Sequence, residues 1–164
     1  MGTLGTIGLA GSAGGGTGDG LADVMVTRDA AALPQTTAAA IFRVRGGPIL
    51  LKRIMGYVTV VIGAVANATK LRVNSDGAGA TTDICGTLDI NGHVADSRYE
   101  ITGTFANAMV RTLDLPLALV QVTSIVVPVG DIEVSCAGSD GGTGRVEWSM
   151  LYQPMTQAAY AYAV

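Results

Sequence analysis

Gly130-Asp-Ile-Glu-Val-Ser-Cys136 and, nine residues on, Arg145-Val-Glu-Trp-Ser-Met-Leu-Tyr152 decide the fold. In both, the large apolar side chains fall on every second residue: Ile132, Val134 and Cys136 in one, Val146, Trp148, Met150 and Tyr152 in the other. Period two is the mark of a strand with one buried face. Between the two runs lie residues 138–144, with four glycines, read as a hairpin loop. Pro154 closes the second run.

The same signals extend in both directions. Residues 38–45 alternate around Ile41 and Phe42, and Gly46-Gly47-Pro48 breaks them. Residues 49–62 read as one long strand, bent or bulged at Gly56. Residues 69–73 alternate, and 74–79 form a turn rich in Asn, Asp and Gly. Strands are expected at 83–90, with a hairpin signal at Asn91-Gly92, at 98–105 and at 120–127. Residues 113–119 are ambiguous around Pro116, and 158–164 suit an edge strand or a docking tail. There is no strand–helix–strand rhythm. About eight strands with a turn every ten residues or so describe an all-β domain, a jelly-roll or Greek-key sandwich or barrel.

The ends divide differently. Residues 1–20 contain nine glycines, and no lysine or arginine precedes Arg28. Glycine loses the most backbone freedom on ordering and has no side chain to bury, so this stretch is a Gly-rich arm, either a tail or a strap that orders on a surface. Residues 21–36 read as a connector in which Asp29 to Leu33 admit a short helix ended by Pro34. The β domain is expected over 37–164.

Charged residues make up 14% of the chain, against about 25% in ordinary soluble domains. Mean hydropathy is +0.43. So few charges cover a monomer's surface thinly, which points to burial against copies of itself. Net charge is −3 and only two lysines occur, so clustered cations for phosphate are missing and nucleic acid is not an expected partner. The apolar run 54–66 is too short to span a bilayer as a helix, and no membrane partner is expected. No positive, apolar leader opens the sequence, so synthesis in a reducing cytoplasm is expected, with Cys85 and Cys136 as small buried hydrophobes rather than a bridge.

No constellation for catalysis, cofactor or metal stands out. His93 is the lone histidine and reads as a solvated turn residue. Asp76 and Asp140 sit in Gly-rich loops that lack the alternating oxygen ligands of a calcium site, so both read as turn carboxylates. Asp131 and Glu133, two apart on a strand and joined by Glu147 on a neighbour, resemble a carboxylate pair but read as a polar strand face. Asn67-Ala-Thr69 fits a glycosylation acceptor only in a secretory setting. Arg43, Arg45, Arg72, Arg98 and Arg145 stand within strands. Arginine forms bidentate pairs with carboxylates at interfaces, so Arg43, Arg45, Arg72 and Arg145 are expected to meet Asp131, Glu133 and Glu147 across subunits.

Several segments together resemble small virion proteins of tailed bacteriophages, in particular capsid decoration (cement) proteins. They are Ala40-Ile-Phe-Arg-Val-Arg-Gly-Gly-Pro-Ile-Leu-Leu51, Ala68-Thr-Lys-Leu-Arg-Val73, Asp83-Ile-Cys-Gly-Thr-Leu-Asp-Ile90, Tyr99-Glu-Ile-Thr-Gly103, Gly130–Cys136 and Gly144-Arg-Val-Glu-Trp-Ser-Met-Leu-Tyr152. The resemblance covers about two thirds of the chain, and the Gly-rich arm departs from it. It implies a β-rich fold, homo-oligomers (trimers favoured) on the major capsid protein lattice, a place on the capsid surface, and no enzymatic activity. Other virion roles (head-fibre base, major capsid or tail protein) and a carbohydrate-binding jelly roll for host adhesion stay open as alternatives.

Overall fold

The computed structural model describes residues 21–77, 81–113 and 121–164. The Gly-rich arm, the end of the 74–79 turn and most of the ambiguous stretch around Pro116 lie outside them. Among the described residues there are twelve strands and no helix: β1 (Val24–Ala32), β2 (Ala38–Arg45), β3 (Ile49–Val60), β4 (Ala68–Ser75), β5 (Thr81–Asp83), β6 (Leu88–Asp89), β7 (Ser97–Glu100), β8 (Val110–Leu113), β9 (Ile125–Val127), β10 (Gly130–Cys136), β11 (Arg145–Pro154) and β12 (Tyr160–Ala163).

They form two antiparallel sheets enclosing one apolar core, not closed into a barrel. The first has the order β1-β11-β3-β7-β8, with β9 also on β3. The second has the order β12-β2-β10-β4-β5, with β6 also on β4. The alternating runs behave as their period dictates. Val146, Trp148, Met150 and Tyr152 point into the core from one sheet, and Ile132, Val134 and Cys136 from the other. Cys85 and Cys136 are buried free thiols. Desolvation raises both thiols, Cys85 to about 11, which suppresses the reactive thiolate.

Several expectations are corrected. The segment expected as a helix, Asp29 to Leu33, is not helical: residues 29–32 are the end of strand β1. Val24 and Val26 lie opposite Tyr152 and Met150 on β11, and this pairing outweighs the local propensity. The irregularity of β1 falls between Arg28 and Ala31. In β3 there is no bulge at Gly56. Its register shifts fall at Lys52 and Thr59 instead, and Gly56 sits opposite Trp148, where it leaves room for the indole. The strand expected at 83–90 is broken into β5, a bridge at Gly86 and β6. The strand expected at 98–105 stops at Glu100, and among the described residues of the strand expected at 120–127 only Ile125–Val127 is strand.

Two expected hairpins are arches. Asn91-Gly92 does turn, with Gly92 at φ 63°, but β6 before it pairs with β4 while β7 after it pairs with β3 in the other sheet. Residues 138–144 likewise carry the chain from β10 across to β11. Asp140 organises this arch. Its carboxylate accepts hydrogen bonds from Gly142 N (2.9 Å), Gly144 N (2.7 Å) and Gln35 Nε2 (2.7 Å). Desolvation pushes its pKa up, but these donors outweigh that and hold it below the usual carboxylate value.

One side chain does the work of a missing strand. Along β3, partner β9 covers Ile49–Leu51 and β7 covers Met55–Tyr57, leaving a gap between. The buried Gln121 carboxamide fills it. Its Oε1 accepts from Ile54 N, and its Nε2 donates to Leu51 O and Thr123 O, each at 3.2 Å. Without it two core backbone groups lose their partner.

Candidate functional site

The outer face of the second sheet holds most of the residues singled out from the sequence. Alternation sends Ile132 and Val134 inward and Asp131 and Glu133 outward. Antiparallel register then sets their neighbours. Asp131 lies between Arg43 on β2 and Asn74 on β4, and Glu133 lies beside Arg72. On β12, Tyr160 and Tyr162 lie opposite Arg45 and Arg43.

Arg43 grips Asp131 with two bonds, Nε to Oδ1 at 2.7 Å and Nη2 to Oδ2 at 2.9 Å, the fork geometry suited to a carboxylate. Arg45 reaches Asp76 at 3.3 Å and Asp131 at 3.7 Å. Arg72 donates to Glu133 at 2.7 Å, Asn74 Nδ2 donates to the other Glu133 oxygen at 3.0 Å, and Lys70 meets Asp83 at 2.6 Å. Hydrogen bonding from Arg43 holds the Asp131 carboxyl below its ordinary value, and Asp131, followed by Tyr162, raises the Arg43 guanidinium further above its own. On this face four cations and four carboxylates are joined in ion pairs within one chain.

The sequence-derived set is thus brought together in part. Arg43, Arg45, Arg72, Asp131 and Glu133 share this face. Their match, expected across subunits, is made inside the chain, because strand register places opposite charges side by side before any partner arrives. Arg145 and Glu147 do not join them. They point outward from β11, on the other sheet, with buried Val146 and Trp148 pointing the opposite way. The carboxylate trio is therefore only a pair.

Sequence reasoning missed the tyrosines. Tyr160 and Tyr162 are 52% and 41% exposed, and their rings stack with centroids 6.1 Å apart. The Tyr-Ala-Tyr-Ala alternation was the available signal, since it places both rings on one side of a strand. It also missed the half-buried position of His93. This side chain is not a solvated turn residue: its Nδ1 lies 2.9 Å from the hydroxyl of buried Tyr99. Desolvation, then the Arg111 charge, lowers its pKa, with Asp89 opposing.

Among the described residues no three His, Cys, Asp or Glu side chains are grouped to hold a metal ion. Asp131 and Glu133 are engaged by arginines rather than poised as acid and base. Asn67 is fully buried, with its Oδ1 accepting from Gly138 N, so as a glycan acceptor it is inaccessible in the fold. Comparison with protein families, curated proteins and solved structures finds no match to this chain.

Proposed function

We propose that this chain is a non-enzymatic virion subunit of the capsid-decoration type, built on a jelly roll. The topological support is the nested pairing of eight strands. Taken in chain order β1, β2, β3, β4, β5, β7, β10 and β11, the first pairs with the last, the second with the seventh, the third with the sixth and the fourth with the fifth. The pairs β11–β3 and β10–β4 then join these hairpins into two sheets. A long hairpin rolled in this manner is the jelly-roll plan of many capsid and lectin domains.

The observation that carries the functional reading is the character of the surface. Most of its charges on the second sheet are engaged with one another, while Met25, Val61, Val65, Val122 and Val126 stand at least half exposed. Such a surface can be covered without stranding a charge. A subunit that binds only the assembled major capsid lattice stabilises that lattice by mass action, and symmetric copies, trimers in this reading, strengthen attachment through many weak contacts. Synthesis in the host cytoplasm and residence on the capsid surface follow.

Quantitative mass spectrometry of purified virions tests this. Hundreds of copies per particle are expected; absence from virions overturns the reading, and a handful of copies replaces it with a tail or fibre role. The exposed tyrosines beside Arg43 and Asp131 favour glycan binding as the second reading, and saturable hits on a glycan array would select it.

A further inference from the structure

The arch from β6 to β7 brings the single histidine beside an arginine that no carboxylate answers. Arg111 lies on β8, at the edge of the first sheet, directly opposite Tyr99 on β7. Opposed residues of an antiparallel pair project to the same side, so Arg111 leaves the sheet on the side of buried Tyr99. Its Nε donates to the Ser97 hydroxyl at 3.1 Å, which draws the guanidinium along β7 toward the arch. Ser97 N donates to Val94 O within that arch. His93 reaches the same place from the arch itself. Its Nδ1 lies 2.9 Å from the Tyr99 hydroxyl, and the two rings are 5.7 Å apart. Burial pushes the Tyr99 phenol far above its ordinary pKa, so it keeps its proton and donates to Nδ1. The neutral imidazole then carries its hydrogen on Nε2, directed away from Tyr99.

We propose that Arg111 and His93 form a binding site for an oxyanion of the sulfate and phosphate class, held between the guanidinium Nη donors and the histidine Nε2–H. Arg111 commits only its Nε. Among the described residues it meets no carboxylate, whereas Arg43, Arg53 and Arg72 each grip one. Arg111 is exposed and His93 half-buried, so a ligand can reach both.

The other groups facing the imidazole leave the place open. Asp89 on β6 accepts from Asn67 N at 2.8 Å and Asn91 N at 3.1 Å with the same oxygen, which ties it to the turn. Asp96, on the arch, accepts from the Tyr57 hydroxyl instead. Tyr99 is neutral. Desolvation and the Arg111 charge both disfavour protonation of His93, and an anion seated between the two cations would oppose that. A protonated ring also makes the stronger hydrogen bond to an oxyanion. The anion would tie the edge strand β8 to the arch. The inference is independent of the virion reading.

The test is proton NMR of the full chain, in which His93 gives the single histidine Cε1–H signal. Its pKa is measured in sodium sulfate and in sodium chloride at equal ionic strength. Sulfate should raise it by about 0.5, which corresponds to about threefold tighter sulfate binding by the protonated ring. Arg111→Gln should abolish this response. Arg98→Gln removes the same charge from the opposite face of β7, where it lies beside Tyr57, and should keep the response. Arg111 is exposed on an edge strand, so its replacement leaves the core untouched, and unchanged amide shifts outside β7, β8 and the arch verify this. No sulfate response in the native chain overturns the proposal. So does a response that survives Arg111→Gln, or one that Arg98→Gln also removes. A second titration, at constant pH, follows the same signal with inorganic phosphate and with phenyl phosphate. Saturation by inorganic phosphate supports a free anion as the ligand, saturation by phenyl phosphate alone supports an esterified phosphate, and saturation by neither overturns the site.

Discussion

Gly56→Ala isolates one packing decision. Gly56 lies across from Trp148 on β11 and Tyr99 on β7, and its backbone is not in the left-handed region that favours glycine. A methyl group there would sit 2.8 Å from Trp148 Cζ3, 2.9 Å from Cη2 and 3.1 Å from Cε3. Trp148 is 2% exposed, so the indole has little room to retreat. Overpacking of this kind costs about 1–3 kcal/mol. Against it, alanine restricts the unfolded chain and returns about 0.4–1 kcal/mol. The steric effect wins, with a net loss of about 1–2 kcal/mol and a Tm lowered by roughly 2–8 °C. Urea denaturation followed by the emission of Trp148, the single tryptophan, measures it directly. A cycle with Trp148→Leu, followed by circular dichroism, identifies the cause: in that background Gly56→Ala should be neutral or stabilising. A stabilised single mutant, or an equal loss in both backgrounds, would refute the reasoning. Gly77→Ala is the contrasting control, because it meets no atom within 4 Å but has φ +96° and pays in backbone strain alone.

Three other perturbations follow from buried polar groups. Gln121→Leu strands Ile54 N–H and Leu51 C=O, so it should cost about 2–4 kcal/mol and raise hydrogen exchange at Ile54; unchanged exchange there would remove the strand-gap role. Asp140 has a folded pKa below its unfolded one, so its contribution is present above about pH 4 and is lost as the pH falls further. Asp140→Asn should flatten that acid limb in pH-dependent denaturation, and an unaltered limb would contradict it. His93 has a lowered pKa, so the folded state favours the neutral ring and stability declines as the pH drops through about 6.5. His93→Gln should abolish that decline, and a persistent decline would assign it elsewhere.

What the sequence disclosed was the face of each strand. Ile132 and Trp148 point inward because period two requires it, and Gly92 and Asp140 mark turns because their backbones or carboxylates demand it. What it concealed was the sheet to which each strand belongs. A turn that doubles back and a turn that crosses the sandwich use the same Gly, Asn and Asp chemistry, so the stretches after Ile90 and Cys136 read as hairpins and are arches. For the same reason Glu147 was grouped with Asp131 although β11 and β10 lie in different sheets. The partners of Arg43 and Arg72 depended on register, which a single chain does not print. Val24 to Ala32 was concealed for another reason. Its polar and small residues make a weak strand signal, and only β11 supplies the pairing that extends it.

That last pairing has a consequence for how the molecule is made. Val24 leaves the ribosome long before Tyr152, its partner across the strands. At ordinary elongation rates the interval is on the order of ten seconds. Throughout it, Val24 and Val26 lack the strand that covers them, and closure of the first sheet awaits the synthesis of β11. Nascent chains stalled before β11 are therefore where a chaperone would find this polypeptide most in need of one.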